Sequence, residues 1–328
     1  MAETMKKDRD VQRIVERIDE CVRNNDNERL TLKALSSEIG YSEYHTSRLF
    51  REISGLKLKD YLRLRRLAFA LKDVRDTEDG ILDIATRYGY SSNEAFSRVF
   101  KKTYGISPRD YRKNPIPAVL RTIIKPFDCY LMEGATRNME KIDTNDIKIY
   151  YIRIPAHKFL HIRNYESIGY WDFWQKQGQI PGQDCDTICG LLDSIKGKLD
   201  DIGGKEENAG SGQLMAWINA PTGRICSWGI PLAEAYGARL PIDYNGPIPE
   251  QMQIMDVEEG EYIVYEHGPF DFEKESEIVE AKIETAMKEH DYAKDGYELD
   301  LTPERVFYFY HDCERFFKYV RPVKKIDR

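Results

Sequence analysis

Two stretches in the first third of the chain repeat one another: LSSEIGYSEYHTSRLFREISG at 35–55 and DIATRYGYSSNEAFSRVFKKTYG at 83–105. Gly40 matches Gly89, Ser47-Arg48-Leu49-Phe50 matches Ser97-Arg98-Val99-Phe100, and Gly55 matches Gly105. In each copy a short apolar-periodic run ends at a glycine, the residue that adopts the left-handed backbone closing a helix without a Cβ penalty. Two or three residues later comes a serine whose hydroxyl can accept from an orphaned N–H in the first turn of a second helix. The pattern predicts helix, tight turn and helix, made twice. The second copy carries one extra turn residue, Ser91, before its cap Ser92.

The faces of the second helices suggest a purpose. Leu49, Phe50 and Ile53 share one face in the first copy, as do Phe96, Val99 and Phe100 in the second, and both sets point to a core. The opposite stripes are Tyr44, Ser47, Arg48 and Arg51, then Glu94, Ser97, Arg98 and Lys101, with Asn93 alongside. Each stripe offers an arginine, a hydroxyl and longer polar groups, the chemistry that reads base edges in a major groove. A single charged stripe is ordinarily just a solvated face. Two matching stripes behind two matching turns are harder to explain that way.

Between the copies, KLKDYLRLRRLAFALKDVRD predicts one helix from Lys57 to Arg75, with Leu62, Leu67, Ala70, Leu71 and Val74 inward. It would span roughly 27 Å, the order of spacing needed to hold two reading helices about one DNA turn apart. Lys57, Lys59, Arg63, Arg65 and Arg66 along it, and Arg109, Arg112 and Lys113 after the Ser107-Pro108 helix start, are expected to meet phosphates.

The motif A-x4-G-Y-S-x5-R-L-F, the Y-L-x-x-R-R-L of the spacer, and I-x-D-I-A-x-x-x-G-Y…F-S-R-x-F-K-K-x-Y-G-I-S-P-x-x-Y-R together resemble the DNA-binding domain of the AraC/XylS family of transcription regulators over roughly 8–113. The resemblance implies that Tyr44, Ser47 and Arg48 in the first copy, and Asn93, Glu94, Ser97 and Arg98 in the second, read DNA. Glu94 departs from the family's usual neutral amide. It would accept from cytosine N4 or face away.

Charge agrees with a divided chain. Through Asn114 there are 24 basic against 19 acidic side chains, a balance of +5; the rest carries 25 against 37, or −12, hidden within the overall −7. At 328 residues the length suits about two domains of roughly 150 each. A balance of 41% hydrophobic and 12% aromatic residues supports packed cores rather than disorder. The boundaries expected are a DNA-binding domain at 8–113, a lead-in at 114–145, and a second domain at 146–328 containing two units, about 146–230 and 250–325.

In that second domain IRIPAHKFLHIRNYES (152–167) superposes on MDVEEGEYIVYEHGPF (255–270). Each is a pair of β-rich runs followed by a helical segment, Tyr170–Gln177 and then Phe272–Glu289. TICGLLDSI, QLMAWINA and RICSWGIPL, then ERVFYFYHD and FFKYVRPV, read as further strands. The expected fold class is therefore multidomain: an all-α double helix-turn-helix domain, then an α+β duplicated unit of mostly antiparallel sheet about a pseudo-twofold axis, with a groove between. All four tryptophans (Trp171, Trp174, Trp217, Trp228) fall here, with Tyr170, Tyr265, Phe307 and Tyr308 in segments expected to face the groove. Aromatic faces suit a lipophilic cation, although any one of them more commonly fills a core.

This layout, Y-x-V-Y-E-H-G-P-F at 262–270 and L-T-P-E-R-V-F at 301–307 resemble the GyrI-like effector-binding domain, joined to its head in the order of the right-origin-binding (Rob-type) regulators. The resemblance implies an aromatic-walled ligand pocket between the halves. It places a carboxylate at Glu304, and with the groove-facing aromatics the effector contacts expected are Trp171, Trp174, Trp217, Tyr265, Phe307 and Tyr308. The function expected is a regulator that binds double-stranded DNA at a promoter and responds to a small, cationic and lipophilic effector of the multidrug type, with RNA polymerase as a further partner. Alternatives stand beside it: the second domain as a small hydrolase using a Trp and a Glu, or as a module that binds a protein or covers the basic head when unliganded.

No catalytic residues, metal site or cofactor is expected. Phosphate-loop, zinc-protease and nucleophile-elbow patterns are missing, and the Gly-rich GGKEENAGSG at 203–212 reads as a loop. Cys185-x-x-x-Cys189 lacks redox or zinc spacing. His157 and His161 fall on a strand, where four steps separate them by about 13 Å, too far for one ion. The first residues form an amphipathic helix without an apolar signal core, and no run approaches a membrane span. A cytoplasmic protein with reduced thiols and no membrane partner is expected.

Overall fold

The computed structural model describes residues 2–26, 29–121, 143–199, 213–225, 230–312 and 316–326. The chain divides into two compact units. One holds the described residues up to 121 together with 189–194, and the other holds 143–188 and those from 195 onward. The Gly-rich 203–212, Trp228, and most of the expected lead-in, 122–142, lie outside the described residues.

Among the described residues up to 121 there are seven helices: α1 (Ala2–Arg23), α2 (Leu32–Ile39), α3 (Glu43–Ser54), α4 (Leu58–Asp76), α5 (Ile81–Arg87), α6 (Asn93–Tyr104) and α7 (Pro108–Lys113). Their ends follow from local chemistry. Ser42 accepts from the His45 N–H at 3.2 Å, Ser92 from Ala95 at 3.1 Å and Ser107 from Asp110 at 3.2 Å. Gly40 (φ 72°) and Gly89 (φ 76°) take the left-handed backbone at the turns, where a side chain would be strained. Thus α2–α3 and α5–α6 are two helix-turn-helix motifs. A single core joins them, with Phe50 against Tyr61 at 5.4 Å between ring centres and Phe100 against Phe96 and Tyr111 at 5.5 and 5.9 Å. The helix α4 lies against α1, α3, α5 and α7.

The second unit is an antiparallel sheet with helices on one face. Its strands are β1 (Lys148–Ile154), β2 (His157–Asn164), β3 (Gln213–Ile225), β4 (Pro231–Pro241), β5 (Gln253–Val257), β6 (Gly260–His267), β7 (Tyr297–Leu299), β8 (Val306–Asp312) and β9 (Phe316–Lys325). They run in the order β1-β6-β9-β8-β3-β4-β2-β5, and β7 pairs β9. Neighbouring runs do not simply pair with each other: β1 pairs β6, whereas β2 pairs β4 and β5. Exchanging β1 with β5, β2 with β6, β3 with β8 and β4 with β9 reverses this order and leaves it otherwise unchanged. The axis of that exchange falls between β3 and β8.

Among the described residues after 143 the helices are α8 (Tyr170–Gln177), α9 (Cys185–Ser194) and α10 (Phe272–Glu289); α8 and α10 contact the sheet, whereas 189–194 of α9 are grouped with the first unit. The run TICGLLDSI, expected as a strand, lies within or just after α9. Asp184 accepts from the Thr187 N–H (3.0 Å) and hydroxyl (2.7 Å), starting a helix whose buried Ile188, Leu191, Leu192 and then Ile195 sit at helical spacing. A short apolar run fits either element; the cap decides this one.

Side-chain alternation gives the sheet two distinct faces. One encloses a core of Phe159, Leu214, Ala216, Tyr262, Val264, Tyr308, Tyr310 and Val320. The other packs on helices: Trp174 of α8 meets Tyr236 of β4 edge-on at 5.0 Å, while Val279 and Ile283 of α10 cluster with Tyr265 and Tyr319.

Candidate functional site

The caps and glycines hold the α3 and α6 stripes outward. Tyr44 is 79% exposed, and Arg48, Arg51, Arg98 and Lys101 are all exposed, while Ser47, Asn93 and Ser97 are half-buried at the stripe margins. Ser97 donates to Asn93 Oδ1 at 3.2 Å. That leaves the amide's N–H donors available, suited to acceptors such as guanine O6 and N7. Glu94 is exposed but turned back on its helix: its own backbone N–H and then the Ser92 hydroxyl hold its carboxyl below the usual range. Within this arrangement it closes the helix N-terminus, where an anion is favoured, rather than reaching toward a base.

The expected phosphate contacts separate into two groups. Lys57, Lys59, Arg63, Arg109 and Lys113 are exposed. Arg65 is not: it is 6% exposed and grips Asp19 of α1 through two bonds, Nε–Oδ1 at 2.7 Å and Nη2–Oδ2 at 2.5 Å. Its expected contact with phosphate is corrected here, because a buried arginine needs a partner and this one has found it within the fold. Arg112 is likewise occupied, donating to the carbonyls of Val74 (2.9 Å) and Asp79 (2.8 Å). Arg66 is half-buried on α4, and desolvation lowers its pKa.

In the sheet unit the expected effector residues do not all converge. Trp217 is opposite Phe307 in the β3–β8 ladder and stacks on Tyr319 at 6.0 Å, so Trp217, Phe307, Phe309 and Tyr319 share the helix-covered face. Tyr265 is on that face too, fully buried beneath α10 and donating to Tyr292 at 3.1 Å. Tyr308, next to Phe307 in a strand, necessarily points to the opposite face. There it donates to His157 Nε2 at 2.6 Å, while His157 Nδ1 donates to the Pro155 carbonyl at 2.8 Å. Tyr308 is thus removed from the groove set. Trp171 and Trp174 belong to α8, with Trp174 nearly buried against Tyr236.

Glu304 stands on the 301–305 turn, not among these aromatics. Its backbone has φ 66°, its N–H donates to the Asn219 carbonyl at 2.8 Å, and its half-exposed carboxylate pairs with Arg163 at 3.2 Å. A carboxylate missed by sequence reasoning lies nearer the stacked rings. Glu280 of α10 accepts from Tyr319 at 2.9 Å, and burial raises its pKa. Its only sequence signal is an acid beside Val279 on an otherwise core-facing stretch.

His157 and His161 share β2, and both are satisfied by hydrogen bonds; His161 Nδ1 donates to Phe159 O at 3.0 Å, and Nε2 accepts from Arg163 at 3.1 Å. Among the described residues no group of three or more His, Cys, Asp or Glu is placed to hold a metal, and no helix is long and apolar enough to cross a membrane.

Comparisons with known proteins agree with the helical geometry. A family model described as a helix-turn-helix domain matches residues 35–114. The probable transcription factor PqrA of Proteus vulgaris is 39% identical over 88 residues, 27% of this chain and 72% of that protein. The regulatory protein SoxS of Salmonella typhimurium is 37% identical over 102 residues, 31% of this chain and 92% of that one. The right origin-binding protein of Escherichia coli is 37% identical over 86 residues, 26% of this chain and 30% of its own length. The chain belongs to the AraC family of helix-turn-helix transcription regulators. It is a DNA-binding regulator, with a helical head followed by an antiparallel-sheet unit.

Proposed function

We propose that the head, 8–113, reads a bipartite promoter site, each helix-turn-helix placing one recognition helix in the major groove. Tyr44, Ser47, Arg48 and Arg51 address one box; Asn93, Ser97, Arg98 and Lys101 address the other. Lys57, Lys59, Arg63, Arg109 and Lys113 hold the backbone phosphates. The observation that carries this reading is the pair of serine-capped helices, each with an exposed arginine at the same place in its stripe.

We further infer that 146–328 is a GyrI-like effector domain made of two repeats, and 114–145 its lead-in. The strand order that reads alike from both edges favours this. Trp217, Phe307 and Tyr319 form the floor of the effector site, between the β4-side helix α8 and the β6-side helix α10, with the half-buried Glu280 as its acid. Such a site takes a flat, cationic, lipophilic molecule. The domain senses rather than catalyses, the regulator works in the cytoplasm, and RNA polymerase is the partner through which it acts.

Selecting duplexes from a random library with the full chain tests the first part. Enriched sequences should contain two boxes about one helical turn apart, and binding should weaken steeply with salt. A single unspaced box would overturn the bipartite reading. Titrating the full chain with cationic dyes and neutral analogues of equal size tests the second, through saturable tryptophan quenching by the cations alone.

A further inference from the structure

The spacer helix α4 is fastened at two places by ion pairs. Near its middle, Arg65 grips Asp19 of α1. The helix α1 in turn accepts, through Asp10, the hydroxyl of Tyr41 in the first turn at 2.9 Å. Near its end, Asp73 accepts from Arg87 at 2.6 Å and from the Tyr88 hydroxyl at 2.9 Å. Arg87 also binds Asp79 with its other nitrogen, and Arg112 of α7 joins the Val74 and Asp79 carbonyls. Arg87 therefore ties α5, the first helix of the second helix-turn-helix, to both the spacer and the 77–80 connection.

The two joints differ in character. The Arg65–Asp19 pair is 7% and 9% exposed, a buried joint whose loss would leave an uncompensated charge. Arg87, Asp73 and Asp79 are 31%, 24% and 41% exposed, so their joint can open without opening the core.

We propose that Arg87 is a positioning residue for bipartite DNA recognition, setting the angle between the spacer and the second helix-turn-helix and hence the box spacing that both reading helices can occupy together. The inference rests on the bipartite reading above. Two linked modules gain affinity only when their geometry lets both engage at once. Arg87 reaches two carboxylates, Asp73 of the spacer and Asp79 of the 77–80 connection, and belongs to α5 rather than to the reading stripe of α6.

The test uses the full chain, its selected two-box duplex, that duplex with one box scrambled, and versions with one base pair added or removed between boxes. Arg87→Ala should bind the one-box duplexes as wild type does, lose about tenfold on the two-box duplex, and discriminate less among the altered spacings. Arg87→Lys, which cannot span two carboxylates with a fork, should fall between. Asp79→Asn removes one leg of the joint on the exposed side and should give the same pattern more weakly, which keeps the idea open to disproof if Arg87→Ala does not fold. Unchanged two-box affinity and spacing preference, or equal losses on one-box and two-box duplexes, would overturn the proposal. Failure of the wild-type chain to enrich any two-box sequence would overturn the bipartite reading and this inference with it.

Discussion

Helical repeats in the first unit each keep their caps, turn and inward stripe within one local stretch around a shared core, whereas corresponding strands of the second unit interleave. Between Thr31 and Gly55 the first helix-turn-helix contains its own caps, turn and inward stripe; the second repeats them up to Gly105. In the sheet, by contrast, β1 finds its partner in β6 and β2 finds one in β5, more than ninety positions away along the chain. A helix satisfies its backbone within itself, so a repeated sequence makes a repeated object. A strand must borrow its partner, and similar strands can borrow from each other.

This contrast is open to attack by removing one large side chain on each side. Phe100→Ala should cost about 3–5 kcal/mol and raise amide hydrogen exchange chiefly in α5–α7, sparing α2 and α3. Val264→Ala on β6, between β1 and β9, should instead raise exchange in strands on both sides. Exchange spreading equally through both helix-turn-helix motifs in the first variant would show that the helical copies are not local units.

Acid sharpens the comparison next, because buried histidines are confined to the sheet unit among the described residues. Burial pushes the imidazoles of His157 and His161 down from 6.5 to about 4. The fold therefore requires them neutral, and the unfolded chain binds protons first. Their contribution is complete above pH 6.5 and lost as pH falls from 6.5 toward 4, up to about 3 kcal/mol for each. Urea midpoints followed by tryptophan fluorescence, which reports only this half of the sequence, should fall over that window; midpoints flat from pH 7 to 4.5 would contradict it.

A smaller effect distinguishes reading from holding. Arg48→Ala should weaken specific binding by about 1–3 kcal/mol and relax base preference at its position, while Lys113→Ala lowers affinity on all sequences alike. Unchanged discrimination between selected and random duplexes would remove Arg48 from the reading stripe. Smallest of all, Ser42→Ala and Ser92→Ala should each cost the head about 1 kcal/mol in thermal unfolding. A marked inequality would mean that the extra turn residue Ser91 alters what the second cap contributes.

Much of the head could be read from its residues. The spacer, expected over Lys57–Arg75, is Leu58–Asp76, and both glycine turns and serine caps stand where their chemistry put them. Arg65 and Arg66 looked equivalent in sequence, since both are basic on a helix predicted to carry phosphates nearby. Only packing of α1 against α4 brings Asp19 to Arg65 and buries it. The sheet unit yielded its strands more readily than its site: consecutive Phe307 and Tyr308 cannot face one groove, a parity visible beforehand, but which of them faces the helices depends on partners far away.

The sequence by itself determined the elements whose causes are local: helices with 3.6-residue faces, caps and left-handed glycines, and the outward arginines at 48 and 98. Tertiary structure alone decided who meets whom. It turned Arg65 and Arg87 into joints, sent Tyr308 to His157, set Glu304 on a turn and brought Glu280 to Tyr319. A charge placed on a helix face announces that it needs a partner. Which partner it obtains depends on closing long loops and on burial that no local pattern encodes.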